Sequence, residues 1–154
     1  MTTVFVYEDV TATGAGGDDE SRPAPSLLAE GRAMLDAVTS DFRAVPGVGV
    51  LTVGEQGFSE VARAADWTLV IAPECGGRLE SLCLEVLRVG GRLLGPSPEA
   101  IRRTADKLEL GRFWERQGVP TPRTWPLGKE PTGSPVVIKP RDGAGSQATI
   151  LSGV

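Results

Sequence analysis

Histidine is absent from the 154 residues, and cysteine occurs only at Cys75 and Cys83. Without an imidazole there is no triad of the serine–histidine kind, and two cysteines alone are too few for a zinc site. Cys83 lies in Leu82-Cys83-Leu84 of a helical pattern, where a small buried hydrophobe is the simpler role. Cys75 follows Pro73-Glu74 on a loop, with only Arg78 nearby to favour a thiolate. No apolar run approaches the roughly 20 residues that a membrane-spanning helix needs. Positive charge is not in excess: 16 Lys and Arg against 20 Asp and Glu leave −4, with a pI of about 4.9. That balance argues against nucleic acid or an anionic membrane as the main partner. The opening Met1-Thr2-Thr3-Val4-Phe5-Val6-Tyr7 has neither the basic region nor the cleavage site of a secretion signal, so the expected location is cytoplasmic. Two common nucleotide motifs are also missing. There is no G-x-x-x-x-G-K-[ST] loop, and no G-x-G-x-x-G follows the first strand-like run, which removes the NAD-binding reading.

What is there has globular proportions, with 40% hydrophobic and 23% charged residues. Strand-like runs at 4–7, 48–53, 67–72 and 92–95 alternate with helical patterns at 26–42, 58–65 and 79–89. The run at 67–72 is largely apolar, as expected of a buried parallel strand. Alternation at this spacing predicts the α/β class: an open parallel sheet of about four strands flanked by helices, with right-handed crossovers. The small, acidic segment 14–23 is expected to be a loop. Its Gly14-Ala15-Gly16-Gly17 could cradle an anion, although a solvent loop is the simpler role.

Past residue 96 the character changes. Ser97 before Pro98-Glu99-Ala100-Ile101 signals a helix start. A helical pattern then runs to Gly118 with a break near Thr104. Prolines at 120, 122, 126, 131 and 135 mark a connection between domains. Pro135 to Lys139 and Ala148 to Leu151 read as two strands of a hairpin. The organisation expected is one domain over 1–103 and the start of an α+β domain over 104–154. Two strands are marginal in water by themselves, so the second domain is expected to continue beyond this chain.

The hairpin carries the most informative stretch, Val136-Val137-Ile138-Lys139-Pro140-Arg141-Asp142-Gly143-Ala144-Gly145-Ser146. A lysine ends an apolar strand and a small-residue turn follows, which is the makeup of a lid over phosphate. Glycines admit backbone N–H groups close to phosphate oxygens, Ser146 adds a hydroxyl, and Lys139 supplies a compact charge. With Thr104-Ala105-Asp106-Lys107-Leu108 upstream and Gly118-Val119-Pro120-Thr121-Pro122 between, this order resembles the ATP-grasp superfamily. The resemblance covers essentially the whole chain, as the first half of a complete enzyme, with a pre-ATP-grasp domain preceding the start of the ATP-grasp domain.

The resemblance implies that Lys107 and Lys139 contact ATP phosphates. It implies too that Gly143, Ala144, Gly145 and Ser146 close over the β- and γ-phosphates and that Ile138 packs against adenine. It implies ATP and Mg2+ as cofactors, with the magnesium ligands beyond residue 154, and small carboxylate and amine substrates joined through an acyl phosphate. Without those ligands the chain alone is expected to ligate little or nothing. Taken singly, Lys107 could be a solvated helix residue and Lys139 an exposed strand end; the ordered set favours the phosphate role. The endings Val6-Tyr7-Glu8 and Ala72-Pro73-Glu74 are similar to a group that includes tyramine–glutamate ligase. Glu8 and Glu74 follow predicted parallel strands, at the edge where open α/β sheets bind ligands. Either could receive a substrate ammonium, or simply cap the loop or helix that follows. The assembly stays open, a homodimer included. The competing reading is a non-catalytic α/β module that binds a small ligand or partner and ends in a disordered tail.

Overall fold

The computed structural model describes residues 1–14, 23–53, 57–129, 131, 133, 135–143 and 148–152. They group into two compact units: Met1–Ala72 with Ser81–Pro98, and Pro73–Glu80 with Glu99–Val154. Among them no helix is long and apolar enough to cross a membrane.

The first unit is built on a parallel sheet of β1 (Thr2–Glu8), β2 (Val48–Leu51) and β3 (Trp67–Ile71), in the order β2-β1-β3. The most deeply buried strand, β1, takes the centre, where both faces are covered, whereas the apolar run at 67–72 forms β3 beside it. The period-2 alternation of a strand then sorts its side chains. Phe5 and Tyr7 point to one face, where they meet Phe58 and Val61 of α3 (Phe58–Ala64) and Leu82 and Val86 of α4 (Arg78–Arg88). The three aromatic rings interlock, with Tyr7–Phe58 centroids 4.6 Å apart and Phe5–Phe58 centroids 5.8 Å apart. Val4, Val6 and Glu8 point the other way, toward α2 (Pro25–Ala44). The unit is therefore a three-layer α/β/α arrangement, in line with the α/β class expected.

Local bonds tie the layers together. Thr3 N–H and Oγ1 donate to Asp66 Oδ2 at 2.7 and 2.9 Å, which joins the start of β1 to the residue before β3 and lowers the Asp66 pKa. Glu85 of α4 accepts from Arg88 and from Ser59 of α3, at 2.6 Å each, and those bonds hold its carboxyl at about 2.

Two local expectations changed. The run at 92–95 forms one parallel bridge, Thr68 to Leu93, rather than a strand. Thr68 N–H donates to Arg92 O and Leu94 N–H to Thr68 O, both at 2.8 Å. Pairing stops there because Gly95 favours no extended conformation and Pro96 has no N–H to give. A short helix, α1 (Asp9–Gly14), starts directly after β1 where no helix was expected.

The Thr68 hydroxyl is fully buried and has no hydrogen-bond partner among the described residues. An orphaned buried hydroxyl is a net cost, and valine has nearly the same shape. Thr68→Val is expected to stabilise the protein by about 1 kcal/mol and to raise Tm by roughly 2–4 °C. A lower melting temperature would mean that the hydroxyl has a partner after all.

The second unit contains a 3-10 turn at Cys75–Gly77, α5 (Pro98–Ala105), α6 (Lys107–Arg116), and the antiparallel pair β4 (Val136–Ile138) and β5 (Ile150–Ser152). The break expected near Thr104 falls at Asp106, which has extended backbone between α5 and α6. Arg103 of α5 lies over the Phe113 ring of α6 at 4.5 Å, a cation–π contact between the two helices.

Candidate functional site

The site begins with Asp106. Its Oδ1 accepts from Leu108 N–H at 3.1 Å and Glu109 N–H at 3.0 Å, so it caps the open N–H groups at the start of α6. A sequence signal for this existed: aspartate before a helical run with glutamate three residues on is the pattern of a helix N-terminus. The cap sets the first turn of α6, and with it the residue that follows, Lys107. The Lys107 ammonium donates to Gly143 O at 2.6 Å, and the Lys107 N–H donates to Arg141 O at 3.0 Å.

Two stretches 36 residues apart thus meet side chain to backbone. Gly143 carries φ +88°, a left-handed backbone that a residue with a Cβ adopts only under strain. Arg141 closes the other side of the turn. Its Nε donates to Asp106 Oδ2 at 2.7 Å, and its NH2 lies 2.7 Å from the same oxygen. The Arg141 hydrogen bond is the main reason the Asp106 carboxyl sits below its usual range, and Asp106 in turn raises the Arg141 pKa.

The remaining sequence candidates fall as follows. Ile138 is half-buried and pairs with Ile150, while Lys139 is exposed just past the end of β4. No hydrogen bond or ion pair connects the Lys139 ammonium to the described residues, whereas Lys107 is engaged by the turn. Ala144, Gly145 and Ser146 lie outside the described residues, as do Ala15, Gly16 and Gly17.

Glu8 is only 3% exposed, and both of its oxygens are in use. Oε1 accepts from Val10 N–H at 3.1 Å and Oε2 from Thr11 N–H at 2.6 Å, so it caps α1. Glu74 is exposed, directly ahead of the 3-10 turn. Among the described residues no group of three or more His, Cys, Asp or Glu is arranged to hold a metal ion.

A surface hollow of about 680 Å³ lies elsewhere in the second unit, between the end of α6 and residues 118–125, lined by Arg112, Glu115, Val119, Arg123 and Trp125 among others. None of the candidate residues borders it. The bond between the Lys107 ammonium and Gly143 O lies outside that hollow.

Comparison with known proteins bears on the superfamily. Residues 34–101 match the family model of the pre ATP-grasp 3 domain. A crystal structure of a protein from Archaeoglobus fulgidus assigned to the ATP-grasp superfamily superposes with a TM-score of 0.65 and 26% sequence identity. The superposition covers 93% of this chain and 48% of that one, so the chain spans about half of its neighbour's length. No curated protein matches. The family match and the structural neighbour together support a relationship to the ATP-grasp superfamily, and neither names a substrate.

Proposed function

We infer that the chain forms the first half of an ATP-dependent carboxylate–amine ligase and that its second unit holds nucleotide phosphate. The observation that carries this reading is the contact of the Lys107 ammonium with the carbonyl of Gly143, the first residue of the small-residue stretch Gly143-Ala144-Gly145-Ser146. A neutral carbonyl is a weaker partner for an ammonium than a phosphate oxygen, so an arriving triphosphate can replace it at a net gain. Lys139, one residue past β4, is exposed and available to the same anion.

In the reaction proposed for the longer protein, a substrate carboxylate oxygen attacks the γ-phosphorus of ATP, and ADP leaves with the bridging oxygen. The amine nitrogen then attacks the acyl carbon, phosphate leaves with its electron pair, and the nitrogen loses a proton. The part of Lys107 and Lys139 is electrostatic: they stabilise negative charge on the transferring phosphoryl group and on the leaving ADP. Magnesium would supply positive charge to the phosphates in such a reaction, and among the described residues no group of three or more His, Cys, Asp or Glu is arranged to hold it. Glu8 and Glu74 stay candidates for a substrate ammonium, with Glu74 the less encumbered because the Glu8 oxygens already cap α1.

Trypsin cleavage after Arg141 tests the reading. Millimolar Mg-ATP is expected to slow that cut at least about fivefold, since bound phosphate shields the bond after Arg141, and Lys107→Ala is expected to abolish the protection. An unchanged cut at saturating Mg-ATP would favour the non-catalytic α/β module instead.

A further inference from the structure

The fork between Arg141 and Asp106 has no part in the phosphate contacts assigned above, yet it joins residues 35 positions apart. Arg141 offers Nε and NH2 to one carboxylate oxygen at 2.7 Å each, and its NH2 lies 3.8 Å from Glu109 Oε1. The next residue, Asp142, accepts from Gly76 N–H at 3.3 Å. With Lys107 N–H on Arg141 O and the Lys107 ammonium on Gly143 O, residues 141–143 are each fastened, and Gly143 is where the backbone turns left-handed. The fork is partly exposed, at 60% and 27% of the two side chains, so it contributes little to stability. Geometry is what such a fork supplies, because a planar guanidinium on a carboxylate fixes orientation as well as distance.

We propose that Arg141 is a positioning residue: its fork to Asp106 fixes residues 141–143 on the first turn of α6 and keeps the Lys107 ammonium directed at the Gly143 carbonyl. The proposal rests on the nucleotide reading above. Lysine has a flexible four-carbon stem, and an ammonium that must be ordered on binding weakens affinity. Holding it against Gly143 O removes most of that cost before phosphate arrives.

The variants Asp106→Asn and Arg141→Gln separate this from simple charge effects. Asparagine is as good an N-cap as aspartate, so the start of α6 is kept while the charged fork is lost. If only long-range charge mattered, removing the negative Asp106 would tighten binding of an anion. If the fork positions Lys107, binding weakens. Titration of the chain with Mg-ATP and with inorganic tripolyphosphate, followed by tryptophan fluorescence, is expected to show each variant about five- to tenfold weaker. The double variant should be no weaker than the worse single one. Arg141→Lys is expected to recover only part of the loss, since an ammonium lacks the fork. Asp106→Asn binding as tightly as the parent, or more tightly, would overturn the proposal.

Should the parent chain bind neither ligand, the nucleotide reading fails, and amide hydrogen exchange decides the positioning on its own. The Lys107 N–H should then exchange at least about fivefold faster in Arg141→Gln, because its acceptor is the Arg141 carbonyl. Unchanged exchange at Lys107 would remove the anchoring role.

Discussion

Phe5→Ala is expected to destabilise the first unit by about 3–5 kcal/mol, the usual cost of emptying a buried phenylalanine site. Phe5 is 0% exposed on the central strand, paired with Leu51 on one side and Thr68 on the other. Its ring meets those of Tyr7 and Phe58, at centroid distances of 6.1 and 5.8 Å, so truncation leaves a cavity that two rigid neighbours cannot refill. Domains of this size are stable by only about 5–15 kcal/mol, so the variant should be partly unfolded in mild denaturant. Trp67 on β3 is the reporter, since the other tryptophans, Trp114 and Trp125, belong to the second unit. A loss of unfolding free energy of less than about 1 kcal/mol, from urea curves followed at Trp67, would mean that the sheet tolerates the cavity, against the packing described.

Gly31→Ala is expected to destabilise by about 2 kcal/mol, although alanine is the better helix former by about 1 kcal/mol. Gly31 is buried in α2, and a Cβ there would stand 2.5 Å from Glu8 Oε2 and 2.8 Å from Glu8 Cδ. Glu8 cannot simply swing aside, because its oxygens are held by the N–H groups of Val10 and Thr11. Either α2 shifts or the cap is lost, and loss of a cap costs about 1 kcal/mol. Coupling is the decisive measurement. The double variant Gly31→Ala/Glu8→Ala should be at least about 1 kcal/mol more stable than the sum of the single effects, because removing the carboxylate makes room for the new methyl. If Gly31→Ala alone proved more stable than the parent, helix propensity would outweigh the contact, and Glu8 would be freer to meet a substrate than its two hydrogen bonds indicate.

The two predictions mark how far local pattern reaches. The apolar run Val4-Phe5-Val6-Tyr7 announces a buried strand, and its alternation with helical segments announces a parallel α/β sheet, because strand and helix periods depend only on neighbouring residues. The contact of Gly31 with Glu8 carries no such mark. A glycine 23 positions from a glutamate has no local signature, and only the crossing of α2 over β1 brings the two together. The bridge at Leu93 is intermediate: its apolar run is visible, but how long the pairing lasts depends on Pro96 and on what lies beside Thr68. Helix α1 was hidden for a related reason. Asp9-Val10-Thr11-Ala12-Thr13-Gly14 has little helical pattern, and the cap that starts it comes from Glu8, the last residue of the preceding strand.

The amino-acid sequence by itself determined the α/β class, the absence of histidine chemistry, and the order in which Asp106-Lys107 and the Lys139-to-Ser146 turn appear. These are properties of composition and of short-range periodicity. Tertiary structure alone decided that the Lys107 ammonium rests on Gly143, that Arg141 grips Asp106, and that Glu8 is enclosed beneath α2. Each of those joins groups far apart along the chain, the two polar contacts at 2.6 and 2.7 Å, and no spacing in a linear pattern encodes them.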